Sequence, residues 1–199
     1  SPGSLPHPHA ARPTRPWGVR ALRAVKEPIE YWLFLSLHFI ARLVPFSIAT
    51  AFGGFLGGFV FRWTNIRKRV TLENLRHAFP EKSESERRTI ACGAYRNYGI
   101  SVTQMLWAGG ASRDALASRV HLEDETPFRK GLAQGKGVLL LSAHFGSWEF
   151  LANAVHLRLG VPFLSIVQNQ RNRRINAYVD RIRRRFGGET VDMEHSVRA

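Results

Sequence analysis

Between Leu43 and Phe61 the chain runs for 19 residues without one ionisable side chain. A fold must either bury such a run or give it to a bilayer, whose hydrocarbon core takes about 20 apolar residues to cross. The low-charge stretch reaches back to Ile29, broken only by Glu30 and Arg42. Pro45 and the pairs Gly53-Gly54 and Gly57-Gly58 disfavour one straight span, while the Gly53-x3-Gly57 and Gly54-x3-Gly58 spacings let a second helix approach closely. Arg12, Arg15, Arg20, Arg23 and Lys26 precede the stretch and Arg62, Arg67, Lys68, Arg69 and Arg76 follow it. Equal basic flanks predict a hairpin or an in-plane anchor with both ends on the cytoplasmic side, with a single span as the alternative. The rival reading is a buried helix pair of a soluble domain.

The balance of 29 Lys and Arg against 15 Asp and Glu gives a formal charge of +14. That excess calls for an anionic partner: a lipid surface, an acidic protein or a nucleic acid. Aromatic residues barely interleave with the arginines after position 170, so base stacking has little support. The single cysteine, Cys92, excludes an internal disulfide and any cysteine-rich metal site. Residues 1–18 hold five prolines among small and basic residues, and a disordered basic arm is predicted over 1–28, with His7 and His9 read as solvated.

Past the apolar stretch, Val70, Leu72, Leu75 and Phe79 form a partial helical stripe that Pro80 stops. Ser83 and Glu86 make a capping box for a helix running to about Trp107, and Gly109-Gly110 ends it. Short helices are predicted near 112–119 and 124–134. The apolar run Val138 to Ser142 is predicted to be a buried strand, followed by a helix to Leu159, a strand over 162–167, a basic helix over 172–186 and a third strand over 189–193. Alternation at these lengths predicts an α/β fold with a mostly parallel sheet flanked by helices.

The central strand runs into Ala143-His144-Phe-Gly-Ser-Trp-Glu149. In one continuous helix His144 and Glu149 would stand roughly 140° apart, so they meet only if the histidine sits in a turn and the glutamate at a helix start. There the carboxylate fixes the imidazole tautomer, and the free nitrogen can take a proton from a hydroxyl. The amides of the helix N-terminus are placed for a developing oxyanion. Ser142 and Ser147 flank the histidine, but neither lies in G-x-S-x-G, which disfavours a serine nucleophile. Arg171, Arg173, Arg174, Arg181, Arg183, Arg184 and Arg185 form the densest basic run, read either as a solvated helix face or as a contact for phosphates or an acidic carrier.

Residues 135–149, Gly-Lys-Gly-Val-Leu-Leu-Leu-Ser-Ala-His-Phe-Gly-Ser-Trp-Glu, resemble the H-x4-D/E motif of the lysophospholipid acyltransferase superfamily, in the form of the bacterial lipid A (lauroyl/myristoyl) acyltransferases and the related phosphatidylinositol mannoside acyltransferases. Asn74-Leu75-x3-Phe79-Pro80 matches the same family in the same order. The resemblance covers roughly Tyr31 to Ala199 and implies an acyltransferase domain over 64–199 behind a membrane anchor over 29–63, on the cytoplasmic face of the bacterial inner membrane. It implies that His144, oriented by Glu149, deprotonates a hydroxyl of an anionic glycolipid, which then attacks the thioester of an acyl carrier protein or coenzyme A donor. No metal or further cofactor and no nucleic acid is implied. Where the family usually shows an arginine after the second strand, this sequence has Gln168-Asn169-Gln170, which makes Arg171, Arg173 and Arg174 the candidate substrate contacts. Family members continue past the point where this sequence stops, so a C-terminally truncated chain is expected. The rival functions are a glycerophospholipid acyltransferase and a non-enzymatic basic module for membrane surfaces.

Overall fold

The computed structural model describes residues 17–193, without the side chains of residues 17–23 and Ala154. The predicted arm therefore lies outside the described residues up to position 16, with His7 and His9. From Trp17 the backbone is already helical, which corrects the disorder expected for 17–28. No proline interrupts positions 17–27, and Val19, Ala21, Leu22, Ala24 and Val25 are compatible with a helix.

Helix α1 (Trp17–Leu43) ends at Val44-Pro45, and α2 (Phe46–Trp63) starts immediately after. The two do not close into the predicted hairpin. Instead α2 lies antiparallel along α4 (Glu84–Ala108), with Phe46 edge-on to Trp107 at 5.0 Å and Phe61 edge-on to Tyr95 at 5.3 Å. The reason is a glycine seam. A Cβ on Gly57 would fall inside contact distance of the Tyr95 carbonyl, and one on Gly99 would strike the Gly53 carbonyl. Small residues thus let two backbones meet, and Ala49, Gly53, Gly54, Gly57 and Phe61 are the buried residues of α2. The opposite face is bare: Phe52, Phe55, Phe59 and Trp63 are exposed in a row. Among the described residues α2 alone is long and apolar enough to cross a membrane.

Helix α3 (Lys68–Ala78) stops before Pro80 as predicted. The capping box of α4 forms: the Ser83 hydroxyl accepts from the Glu86 amide at 3.3 Å, while the Ser83 amide donates to the Glu86 carboxylate at 2.8 Å. Short helices α5 (Arg113–Ala117) and α6 (Thr126–Leu132) follow. Helix α7 (Trp148–Leu159) then leads through Gly160 to β1 (Phe163–Val167), α8 (Arg173–Arg184) and β2 (Gly188–Asp192). β1 and β2 pair in parallel, from Phe163 opposite Gly188 to Val167 opposite Asp192. This is the βαβ unit the sequence predicts, although helix dominates the chain and the sheet has two strands.

The predicted central strand is not formed. Residues 138–142 pair with neither β1 nor β2. Leu139 and Leu141 are 91% and 96% exposed. Gly135 and Gly137 take left-handed φ values of 69° and 77°, turning the chain into this segment, and an all-apolar strand needs a ladder and cover on both faces. The buried cluster that does form consists of Ala108, Leu116, Phe150 and Phe186, with Phe46, Trp107, Val120 and Leu157 against it. It joins α2, α4, α5, α7 and the end of α8 directly beneath the first turn of α7.

Candidate active site

His144 lies in the turn before α7, and its side chain is exposed. The imidazole packs on Trp148 with ring centroids 4.6 Å apart, and Trp148 faces Tyr98 of α4 at 6.4 Å. Helices rather than a sheet edge hold the turn. The Ser101 hydroxyl donates to the Gly146 carbonyl at 2.7 Å, with Gly146 at φ 59°, a conformation that favours glycine. Ser147 is the N-cap of α7, yet its hydroxyl caps no amide; it donates to the Gln104 side-chain oxygen. The Gln104 amide in turn donates to Thr50 of α2 at 3.2 Å. The first amides of α7 are thus left without a side-chain cap, on the same turn as the imidazole.

Glu149 stands in the first turn of α7, but no hydrogen bond joins it to His144. Both carboxylate oxygens accept from Arg183 of α8, from Nε at 2.9 Å and from the terminal nitrogen. The expected acid–imidazole contact is therefore replaced by a two-pronged guanidinium contact. An arginine fork matches both oxygens at once, whereas a ring nitrogen can satisfy only one. The pair is mostly covered, with side-chain exposures of 16% for Arg183 and 19% for Glu149. Sequence reasoning placed Arg183 in a basic run read either as a solvated helix face or as a contact for phosphates or an acidic carrier. A signal was available: Val179, Ile182 and Phe186 form the buried stripe of α8, and Arg183 follows Ile182 on its flank. A cation there calls for an acid.

Arg171, Arg173 and Arg174 are all exposed, Arg171 before α8 and the other two in its first turn. No hydrogen bond or ion pair ties them to His144 or Glu149, so the structure does not gather them with the histidine. Asn172 between them escaped sequence reasoning. It is buried, caps α8 by accepting from the Arg174 and Ile175 amides at 3.1 and 3.4 Å, and donates to the Glu27 carbonyl of α1 at 2.9 Å.

The arrangement is an exposed imidazole and a set of uncapped helix amides on one turn, beside a carboxylate held by an arginine. The sequence model of the family described as bacterial lipid A biosynthesis acyltransferase matches residues 19–199. The chain belongs to this family. The lipid A biosynthesis lauroyltransferase of Escherichia coli (strain K12) is 28% identical over 124 residues, covering 59% of this chain and 39% of that protein. The chain thus spans well under half the length of the curated relative it matches. No solved structure matches it.

Proposed function

We propose that this lipid A acyltransferase family chain carries the base-bearing part of an O-acyltransferase. The enzyme moves a fatty acyl chain from a carrier-protein or coenzyme A thioester to a hydroxyl of an anionic glycolipid such as a lipid A precursor. The observation that supports this reading is the exposed His144 imidazole on the N-terminal turn of α7, in a chain whose family match covers nearly its whole length. His144 takes the hydroxyl proton as the acceptor oxygen attacks the thioester carbonyl. The tetrahedral oxyanion is met by the uncapped amides of α7, and the C–S bond then breaks as the thiolate takes the proton from the imidazolium. A positioned base of this kind contributes about 10²- to 10⁴-fold. Glu149 acts on the imidazole, and to do so it shares its carboxylate between Arg183 and His144. Arg171, Arg173 and Arg174 serve anionic groups of the substrates away from the reacting atoms.

The chemistry is placed at the cytoplasmic face of the inner membrane. Support comes from the exposed row Phe52, Phe55, Phe59 and Trp63 on α2, whose other face is closed by α4. A helix so covered along one side suits an in-plane anchor better than a lone span, because α4 carries Glu84, Glu86, Arg87, Arg88 and Arg96.

The test is transfer of a labelled acyl group by the full-length protein containing this chain. His144→Ala is expected to lower turnover by at least about 10²-fold, with Glu149→Gln less affected. Unchanged turnover in His144→Ala removes the mechanism. Transfer to glycerol 3-phosphate lipids instead of a glycolipid reassigns the acceptor.

A further inference from the structure

A cleft of about 320 Å³ opens between α1 and α8, lined by Tyr31, Arg174, Ala177, Tyr178 and Arg181. Its two guanidinium groups differ from the three that follow them in sequence. Arg183 is bound to Glu149, Arg184 to Asp180 at 2.8 Å, and Arg185 to the Gly109 carbonyl. Arg174 and Arg181 have no acidic partner among the described residues. Asp180, next in sequence to Arg181, is taken by Arg184 and the Thr190 hydroxyl. Glu30, next to Tyr31, is taken by Lys26 at 3.4 Å and Asn172 at 3.2 Å.

The wall is held firmly. Tyr178 packs edge-on against Phe34 at 5.7 Å and His38 at 5.2 Å, and the Arg181 guanidinium lies 5.7 Å from the Tyr178 ring centre. Two planar donors seven residues apart on α8, in a cleft that two tyrosines also line, suit a phosphate, whose oxygens accept from forked donors. Arg174 and Arg181 lie two turns apart on one face, and Tyr31 reaches over from the facing helix. The next residues round α1, Trp32 and Leu33, are 64% and 61% exposed, in a stripe shared with Val25 and Ile29. An apolar stripe beside paired cations is the pattern of a lipid interface, with chains on one side and a headgroup on the other.

We propose that the cleft between α1 and α8 binds the phosphate of an anionic lipid headgroup through Arg174 and Arg181, with Tyr31 and Tyr178 closing the site. The proposal rests on the membrane-surface reading above but needs neither His144 nor acyl transfer.

The experiment is flotation of the 199-residue chain with phosphatidylcholine vesicles containing phosphatidic acid, against vesicles brought to the same surface potential with oleate. The parent is expected to prefer the phosphate vesicles. Arg174→Gln/Arg181→Gln is expected to lose about 25-fold in partitioning, roughly fivefold per arginine near an anionic surface. Arg113→Gln/Lys130→Gln removes the same charge from exposed positions outside the cleft and is expected to lose less than about twofold. Arg174→Lys/Arg181→Lys keeps charge and fold, and is expected to bind both vesicle types alike, because the forks are gone. Far-UV circular dichroism confirms that each variant folds. Equal losses in the cleft and control pairs, or no preference in the parent, overturn the site. Erasure of the preference by inorganic phosphate at matched ionic strength overturns the lipid assignment in favour of a free phosphate. Because His144 and Glu149 are untouched, a failed acyl-transfer assay with cleft-specific binding intact refutes only the enzyme reading, and the reverse refutes this site together with the substrate role given to Arg174.

Discussion

The Glu149–Arg183 contact should be worth about 2 kcal/mol of coupling in a double-mutant cycle, between the figures for exposed and fully buried pairs. Exposed ion pairs contribute about 0.2–1 kcal/mol. Removing one partner of a fully buried pair costs about 3–5 kcal/mol. Here the side chains keep 16% and 19% of their exposure, and two parallel bonds link a guanidinium to a carboxylate. Hydrogen bonds to charged groups run at about 1.5–3 kcal/mol, which places this pair near the middle of that range. The cycle compares the parent with Glu149→Gln, Arg183→Met and the double variant by urea unfolding at neutral pH. Arg183→Met should cost more than Glu149→Gln, because it strands a carboxylate in a mostly covered site while the glutamine still accepts one bond from Arg183. The pair links α7 to α8, so amide exchange in the first turn of α7 should quicken in Arg183→Met. Coupling below about 0.5 kcal/mol, with exchange unchanged, would show a surface pair and refute the view that Arg183 fixes the acid.

Two glycines of α4 should respond to the same substitution with opposite signs. Gly93→Ala meets open space and should gain about 1 kcal/mol from helix propensity, raising Tm by roughly 2–4 °C. Gly99→Ala drives a methyl into the Gly53 backbone carbonyl and should lose about 1 kcal/mol net, as about 2 kcal/mol of overpacking outweighs that gain. Shifts of like sign in calorimetry would remove the seam. A further prediction concerns acid. Hydrogen bonds from the Ser83 hydroxyl and then its amide hold the Glu86 carboxyl below its usual value. Its contribution is complete above the ordinary carboxylate value of about 4.3 and fades as pH falls through the lowered one. Exchange of the first-turn amides of α4 should accelerate over that window in the parent, and the window should move toward the ordinary value in Ser83→Ala.

What the sequence showed best was local chemistry. The Ser83–Glu86 box, the stop at Pro80, the βαβ order of β1, α8 and β2, and the turn that holds His144 all follow from residues within a few positions of one another. What it hid depends on distant partners. The hairpin expectation failed because the glycine spacing of α2 permits close approach without naming the partner, and Gly99, some forty residues on, answered it. The strand expectation over 138–142 failed for a related reason. Val-Leu-Leu-Leu states a preference for burial on both faces, but a ladder needs a neighbour, and among the described residues β1 pairs with β2 alone. At the site, spacing placed His144 and Glu149 at one helix start, but only the register of α8 could reveal Arg183 as the partner of Glu149.

The same distant contacts tie the exposed face of α2 to the histidine. Thr50 of α2 accepts from the Gln104 amide, the Gln104 oxygen accepts from Ser147, and Ser147 opens α7 three residues after His144. Ser101, one turn before Gln104 on α4, holds the Gly146 carbonyl between them. The glycine seam fixes α2 against α4, so whatever α2 rests on sets the height and tilt of α4, and α4 carries the turn that presents the imidazole. On the function proposed above, an α2 resting on a lipid surface and joined to the turn of His144 by side-chain hydrogen bonds, rather than by a flexible linker, would hold the imidazole at a fixed depth relative to that surface. For an acceptor hydroxyl that belongs to a lipid, that fixed depth is itself a part of substrate positioning.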